Sequence, residues 1–336
     1  MFDRAVFHRG MRVCAAVSAA LLVVMALLVA AGALIAQDAP TIKVDVDVVN
    51  ILFSVRNRHG GLVGNLEKDQ FTLLEDGKPQ QVKYFTRETD LPLTIGLLID
   101  VSRSQENLIG IEQDAASQFF GQVLRKKDLA FLISFGSDAE LLQDYTNSSQ
   151  LLRAGLQGLK VNSSVGGLHP GPVPTVYQPR GTILYDAVYL ASTDQLRGQV
   201  GRKALVLITD GEDQGSRYKI EKAIEMAQKA DAIIYSFYYV DRQFYSRGGL
   251  SFGGGNESAL RRMSEDTGGR VFNIGRKISL PEAFKELQDE MRSQYAIGYT
   301  PTSPEKDGKF RRIEIHAADK DLKVQARKGY YATKPE

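Results

Sequence analysis

The chain has 336 residues, 43% of them apolar and 24% charged, with a formal net charge of +2. That composition is ordinary for a globular protein of one large domain with additions, or of two domains. The first 36 residues hold three Arg and one Asp, which leaves the rest neutral and argues against nucleic acid as a partner, because phosphate binding needs a basic surface.

The N-terminus reads as an export signal. Arg4, Arg9 and Arg12 precede an uncharged run from Val13 to Ala36, a basic region followed by an apolar one. The run is also long enough to span a bilayer. Cleavage after Ala33 or Ala36 and retention as an anchor are both open, and the membrane is a partner only through such an anchor. Either way, the body from Gln37 onward is expected in the periplasm, in the cell envelope or secreted. The single cysteine, Cys14, lies in this segment, so the body has no disulfide and no thiol chemistry.

Strand signals run from Thr41 to Thr86. "TIKVDVDVVNILFSVRN" alternates in part, and "FTLLEDGKPQQVKYF" places a Glu-Asp-Gly-Lys-Pro turn between two strand-like runs, which predicts a hairpin. From Leu91 to Tyr299 apolar runs alternate with helical periods. The predicted strands are "LTIGLLID", "DLAFLISF", "KALVLITD" and "AIIYSFYYV". Predicted helices include "QENLIGIEQDAASQFFGQVL", "TILYDAVYLASTDQL", "YKIEKAIEMAQKAD", "ESALRRMSEDTGG" and "LPEAFKELQDEMRSQ". Near-continuous apolar strands between helices predict a doubly wound, mostly parallel sheet covered on both faces. Strand signals return in "KFRRIEIHAA" and "LKVQARKGYYA". The expected organisation is a signal or anchor over 1–36, an N-terminal β segment over 37–90, an α/β domain over 91–299, and a C-terminal β segment over 300–336. The two β segments are expected to pack as one small sandwich into which the α/β domain is inserted.

Two segments stand out as irregular, Lys160–Gly181, with four Pro, and Asp241–Asn256, with five Gly. Long irregular loops inside a compact domain are usually functional or disordered.

The chemistry lies at the strand ends. "LTIGLLIDVSRS" carries Asp100, Ser102 and Ser104 at alternate positions, and extended backbone turns such residues to one side. Three hard oxygens on one point suit a hard cation; the plainer reading is that Ser102 or Ser104 caps the helix that follows. "KALVLITDGED" ends another buried strand at Asp210, the third of the four named above but assigned the fourth place in the sheet. In a sheet of order 3-2-1-4-5-6, strands one and four are neighbours at the switch point where ligands bind. "RGTILYDAV" adds Thr182 at a helix start.

These three motifs together resemble the metal-ion-dependent adhesion site of the von Willebrand factor type A domain, over roughly Leu91 to Tyr299. The flanks, through "VDVVNILFSVRN", "LEKDQFTLLEDGKPQQV" and "YAIGYTP" onward, resemble the von Willebrand factor type A-related proteins abundant in acidobacteria. The resemblance implies a divalent cation held by Asp100, Ser102, Ser104, Thr182 and Asp210. Mg²⁺ is the first choice, Mn²⁺ or Ca²⁺ the alternatives, and a partner protein's acidic residue completes the coordination. Arg103 stands where many members have Gly; its place between Ser102 and Ser104 turns it away from the ion. Arg103, Arg242, Phe244, Tyr245, Arg247 and Phe252 form the expected partner-binding rim. Glu212, Asp213 and Asp186 are not counted as ligands.

No catalytic machinery is evident. There is no G-x-S-x-G elbow, no phosphate-binding loop, and the scattered histidines offer no zinc cluster. The leading reading is therefore an exported, metal-dependent protein-binding module and not an enzyme. A metal-dependent hydrolase, or a structural envelope protein with a vestigial site, are the alternatives.

Overall fold

The computed structural model describes residues 48–87, 91–161, 181–247, 255–275 and 278–333; the predicted signal or anchor lies outside them. β1 (Val49–Arg56) buries Ile51, Phe53 and Val55, every second residue. β2 (Phe71–Glu75) and β3 (Lys78–Gln80) form the expected hairpin. Its turn residues Asp76 and Gly77 both have positive φ, 49° and 76°, as a tight turn between twisted strands requires. β4 (Val82–Arg87) then crosses to the sheet that holds β1.

The α/β unit follows. In chain order it comprises β5 (Leu93–Asp100), α1 (Ile109–Val123), β6 (Leu129–Phe135), β7 (Ala139–Thr146), α2 (Ser149–Gln157), α3 (Leu184–Leu190), β8 (Arg202–Thr209), α4 (Ile220–Lys229), β9 (Ala232–Tyr238), α5 (Arg242–Arg247), α6 (Glu257–Thr267), β10 (Val271–Asn273) and α7 (Leu280–Arg292). The sheet order is β10-β9-β8-β5-β6-β7. All neighbours are parallel except β7, which runs antiparallel to β6. Counted within the unit, this is the order 3-2-1-4-5-6. The third strand is β7, which the sequence reading lacks. β5 and β8 are buried along their whole length. One face of the sheet packs Leu97 and Ile99 against Phe119, Phe120, Phe284 and Leu287. The other packs Leu98, Leu205 and Leu207 against Leu184, Val188, Ile224 and Leu260. With helices on both faces no side of β5 or β8 meets water, which explains their unbroken apolar runs.

β11 (Tyr295–Tyr299), β12 (Phe310–Ala317), β13 (Lys323–Ala326) and β14 (Gly329–Tyr331) complete the chain. They join the N-terminal strands in two four-stranded sheets, β13-β1-β11-β4 and β14-β12-β2-β3. Ile51, Phe53, Leu73, Tyr295, Ile297 and Ile313 form their common core. β4 and β11 pair antiparallel, with Arg87 opposite Tyr295. The α/β unit therefore leaves and re-enters the sandwich through adjacent strands. Because β11 pairs with β1 and β4, the unit ends by hydrogen bonding at Arg292, ahead of the expected boundary at Tyr299.

One buried acid ties the two parts together. Glu290 of α7 is fully buried and accepts from Arg56 of β1 at 2.6 Å, Arg270 at 2.8 Å and Gln325 of β13 at 2.9 Å. Among the described residues no helix is long and apolar enough to cross a membrane.

Candidate metal centre

β5 and β8 are hydrogen-bonded neighbours, so their carboxyl ends bring Asp100 and Asp210 to the same edge. The chain after β5 makes a short 3-10 turn over Arg103–Gln105 before α1 begins. Neither helix start receives a side-chain cap from a serine: Ser102 precedes the turn without capping it, and Leu108 precedes α1. The hydroxyls point elsewhere. Ser102 Oγ and Ser104 Oγ lie 3.1 Å apart, and Ser104 Oγ donates to Asp210 Oδ2 at 2.7 Å. That removes the capping reading of the D-x-S-x-S motif.

Both carboxylates are held from several sides. Asp100 Oδ1 accepts the Ser102 N–H at 2.9 Å, and Oδ2 accepts the Thr209 hydroxyl at 2.6 Å. Asp210 Oδ1 accepts the Glu212 N–H at 3.1 Å. Its Oδ2 accepts the Tyr245 phenol at 2.9 Å as well as Ser104. Asp100 is 0% and Asp210 1% exposed. Burial, and then the charge of Asp210, push the Asp100 carboxyl up to about 7, against its hydrogen bonds from Ser102 and Thr209. Among the described residues no basic side chain forms an ion pair with either.

Thr182 is 8% exposed, just ahead of α3. Its carbonyl accepts the N–H groups of Gln214 and Gly215, at 3.0 and 3.1 Å, which docks its loop on the one that follows Asp210. Two glycines permit close approaches here, Gly181 to the loop after Asp210 and Gly211 to the residue that precedes α6. A Cβ on Gly181 would lie 2.8 Å from the Gln214 side chain, and one on Gly211, at φ 82°, 2.5 Å from the Asn256 carbonyl. The nearby acids serve the same junction. Asp213 accepts the Tyr185 N–H at the start of α3, and Asp186 accepts the N–H groups of Arg217 and Tyr218.

The sequence reading missed two residues. Glu112, on α1, is fully buried, and neither carboxyl oxygen has a hydrogen-bond partner among the described residues. Burial, then Asp100 and Asp210, push its pKa well up. Gln105 donates to the Tyr239 carbonyl at 3.3 Å while its own side-chain oxygen is buried without a partner. A glutamate one turn into an amphipathic helix reads in sequence as a solvated position, and only the depth of α1 in the fold reveals otherwise.

Of the expected rim, Arg103 is exposed, on the 3-10 turn that replaces extended backbone there. Phe244 is 37% exposed and meets Tyr245 edge to face at 5.4 Å. Of Arg242 and Arg247 only the backbone is described, in α5; Phe252 and most of the Lys160–Gly181 loop lie outside the described residues. α5 corrects the reading of Asp241–Asn256 as wholly irregular. Asp241 starts this helix by accepting the Gln243 and Phe244 N–H groups.

The donor set fits a small hard cation. Adjacent ligands of an octahedral Mg²⁺, each at about 2.1 Å, stand roughly 2.9–3.0 Å apart, and the two serine oxygens are separated by 3.1 Å. Two buried carboxylates without a counter-charge are costly unless a cation meets them. No cluster of three or more His, Cys, Asp or Glu is placed to hold an ion among the described residues, so hydroxyls would have to supply the remaining ligands.

No family model matches the sequence, and no curated protein does. The fold is similar to several solved structures. An aerotolerance-related membrane protein from Bacteroides fragilis shares 15% identity over 59% of this chain and 98% of its own, with a TM-score of 0.44. The VWA domain of SpRpn10 shares 14% over 59% and 95%, at 0.39. Proximal thread matrix protein 1 of the mussel byssus, solved with a zinc-occupied MIDAS motif, shares 13% over 62% and 50%, at 0.44. These likenesses are of fold. The resemblance of the unit to a von Willebrand factor type A domain is carried by its own strand order, and by the strand-end and loop motifs of Asp100, Ser102, Ser104, Thr182 and Asp210.

Proposed function

We propose that this chain is a divalent-cation-dependent protein-binding module, an adhesion or scaffold domain on an exported body, that captures an acidic residue of a partner. The observation that carries the reading is the convergence of Ser102, Ser104, Asp100 and Asp210, with both serine hydroxyls turned from helix capping to this cluster. Ser102 and Ser104 would hold the ion through their oxygens, Thr182 directly or through water, and Asp100 and Asp210 directly or through waters. The bound cation supplies an electrophilic position for a carboxylate from outside. Two carboxylates and neutral hydroxyls balance a divalent charge without saturating it, which is what a receptor for an anion requires. Mg²⁺ is the preferred ion.

Binding is favoured over hydrolysis by what the neighbouring acids do. Two carboxylates with neutral hydroxyls leave the ion open to an outside carboxylate, and the nearby acids are engaged elsewhere: Asp213 accepts the Tyr185 N–H and Asp186 the Arg217 N–H. The basic and apolar N-terminal segment supports export.

Isothermal titration with Mg²⁺ and Mn²⁺ tests the site, and capture from envelope extract tests the role. Wild type should bind the ions, and retain a partner in Mg²⁺ but not in EDTA. Asp100→Ala should do neither. Equal heats for both proteins would overturn the reading.

A further inference from the structure

The phenol of Tyr245 touches the site from a helix that belongs to none of the three motifs. Asp241 Oδ1 accepts the Gln243 N–H at 2.8 Å, and its Oδ2 accepts the Asn107 side-chain amide at 2.6 Å. α5 is thereby fixed to the chain that follows Ser104. From α5 the half-buried Tyr245 donates to Asp210 Oδ2 at 2.9 Å. That oxygen also accepts from Ser104. A carboxylate oxygen has two lone pairs in its plane, so these two donors fill Oδ2. Oδ1 has one pair engaged with the Glu212 N–H and one free. Ser104 can donate to Asp210 and still offer its own lone pairs to a cation. The phenol's bond, by contrast, competes with direct contact between Oδ2 and an ion.

We propose that Tyr245 is a positioning residue of the cation site. It keeps Asp210 Oδ2 off the ion, so that Asp210 acts through Oδ1 or through water and the ion stays receptive to a partner's carboxylate. This rests on the cation-binding reading above. Tyr245 would thus exchange some ion affinity for electrophilicity, and with its phenol oxygen 2.9 Å from Asp210 Oδ2 it would lie close to an ion held by that carboxylate.

The chain has no tryptophan, so Tb³⁺ emission excited in the tyrosine band reports tyrosines near the bound ion. Tyr245→Phe keeps the ring packing against Phe244 and removes only the hydroxyl and most of the sensitisation. In the variant, tyrosine-sensitised Tb³⁺ emission should be largely lost. Mn²⁺ affinity measured by titration should rise about tenfold, the ratio one charge-assisted hydrogen bond is worth. Tyr239→Phe, which leaves the Asp210 bond in place, should lose less emission and keep its Mn²⁺ affinity. Unchanged emission, or Mn²⁺ binding equal to or weaker than wild type, would overturn the role of Tyr245 while leaving the site intact. Wild type that binds neither ion would instead overturn the cation reading itself.

Discussion

Ser104 donates to Asp210 across 2.7 Å although 106 residues separate them. The bond exists because β5 and β8, first and fourth in the unit, are neighbours in its sheet. It also separates two accounts of the motif. A capping serine lost to alanine costs typically about 1 kcal/mol of stability and nothing else. A ligand serine lost to alanine costs ion affinity and little stability. Ser104→Ala should therefore lower Mn²⁺ affinity at least about tenfold, since both an ion ligand and one of the donors to Asp210 go. Its thermal midpoint in EDTA should fall by no more than about 2–4 °C, the size of a loss of about 1 kcal/mol, so the affinity is what separates the accounts. Calorimetry on one preparation measures both.

Asp100 predicts the pH dependence. Its carboxyl is raised from the ordinary 3.8 to about 7, first by burial and then by Asp210. Between these values the folded protein holds a proton that the unfolded chain has released. This contribution is complete below pH 4 and is lost as pH rises toward 7. In EDTA, Asp100→Asn should gain stability relative to wild type as pH climbs through that window, by an amount on the order of a few kcal/mol. Saturating Mg²⁺ should flatten the wild-type curve, because the ion binds the ionised form. A difference between the two proteins that does not change from pH 4 to 7 would contradict this.

Much of this was readable in the sequence, for a physical reason. Strands covered on both faces must be apolar throughout, so β5, β6, β8 and β9 stand out, and acids at their ends stand out against them. β7 did not, because an edge strand has one partner and an open side: Ala139–Thr146 is largely half-buried or exposed and carries Glu140, Gln143 and Asp144. β10 is three residues long, too short for a period to show. α5 was hidden by the glycines that follow it. The Asp210–Tyr245 bond could not be foreseen, since no spacing rule links a loop tyrosine to a strand-end acid. The sequence places Tyr245 on the partner-binding rim, yet in the structure its hydroxyl bonds an acid of the site.

Glu290 should matter to the fold and not to the ion. It is fully buried and joins Arg56, Arg270 and Gln325. Removing one partner of a buried ion pair costs about 3–5 kcal/mol. Arg56 and Arg270 retain some exposure, 17% and 24% of their side chains, and can turn to water, so Glu290→Ala should sit near about 3 kcal/mol in urea denaturation. Mn²⁺ affinity at 25 °C should be unchanged, because the folded α/β unit keeps its sheet. A large loss of affinity in fully folded protein would mean that the sandwich governs the site.

Glu112 gives a prediction of opposite sign. Both carboxyl oxygens are buried without a hydrogen-bond partner among the described residues, and its pKa is pushed well up, by burial first and then by Asp100 and Asp210. Desolvating such a group without a partner costs about 1–3 kcal/mol, and an apolar side chain of similar length escapes that cost. Glu112→Met should therefore raise stability in EDTA by on the order of 1–3 kcal/mol, where most core substitutions lower it. The gain should shrink when Mg²⁺ is present. A cation near Asp100 and Asp210 lowers the cost of a third negative charge close by, so wild type recovers more from the ion than the variant does. For the same reason Mg²⁺ affinity should fall severalfold in Glu112→Met, and not be abolished, since Glu112 lies outside the set of ligands. Thermal melts of both proteins, each with EDTA and with saturating Mg²⁺, decide the matter. A variant less stable than wild type in EDTA would show that Glu112 has a stabilising partner after all, such as an ordered buried water.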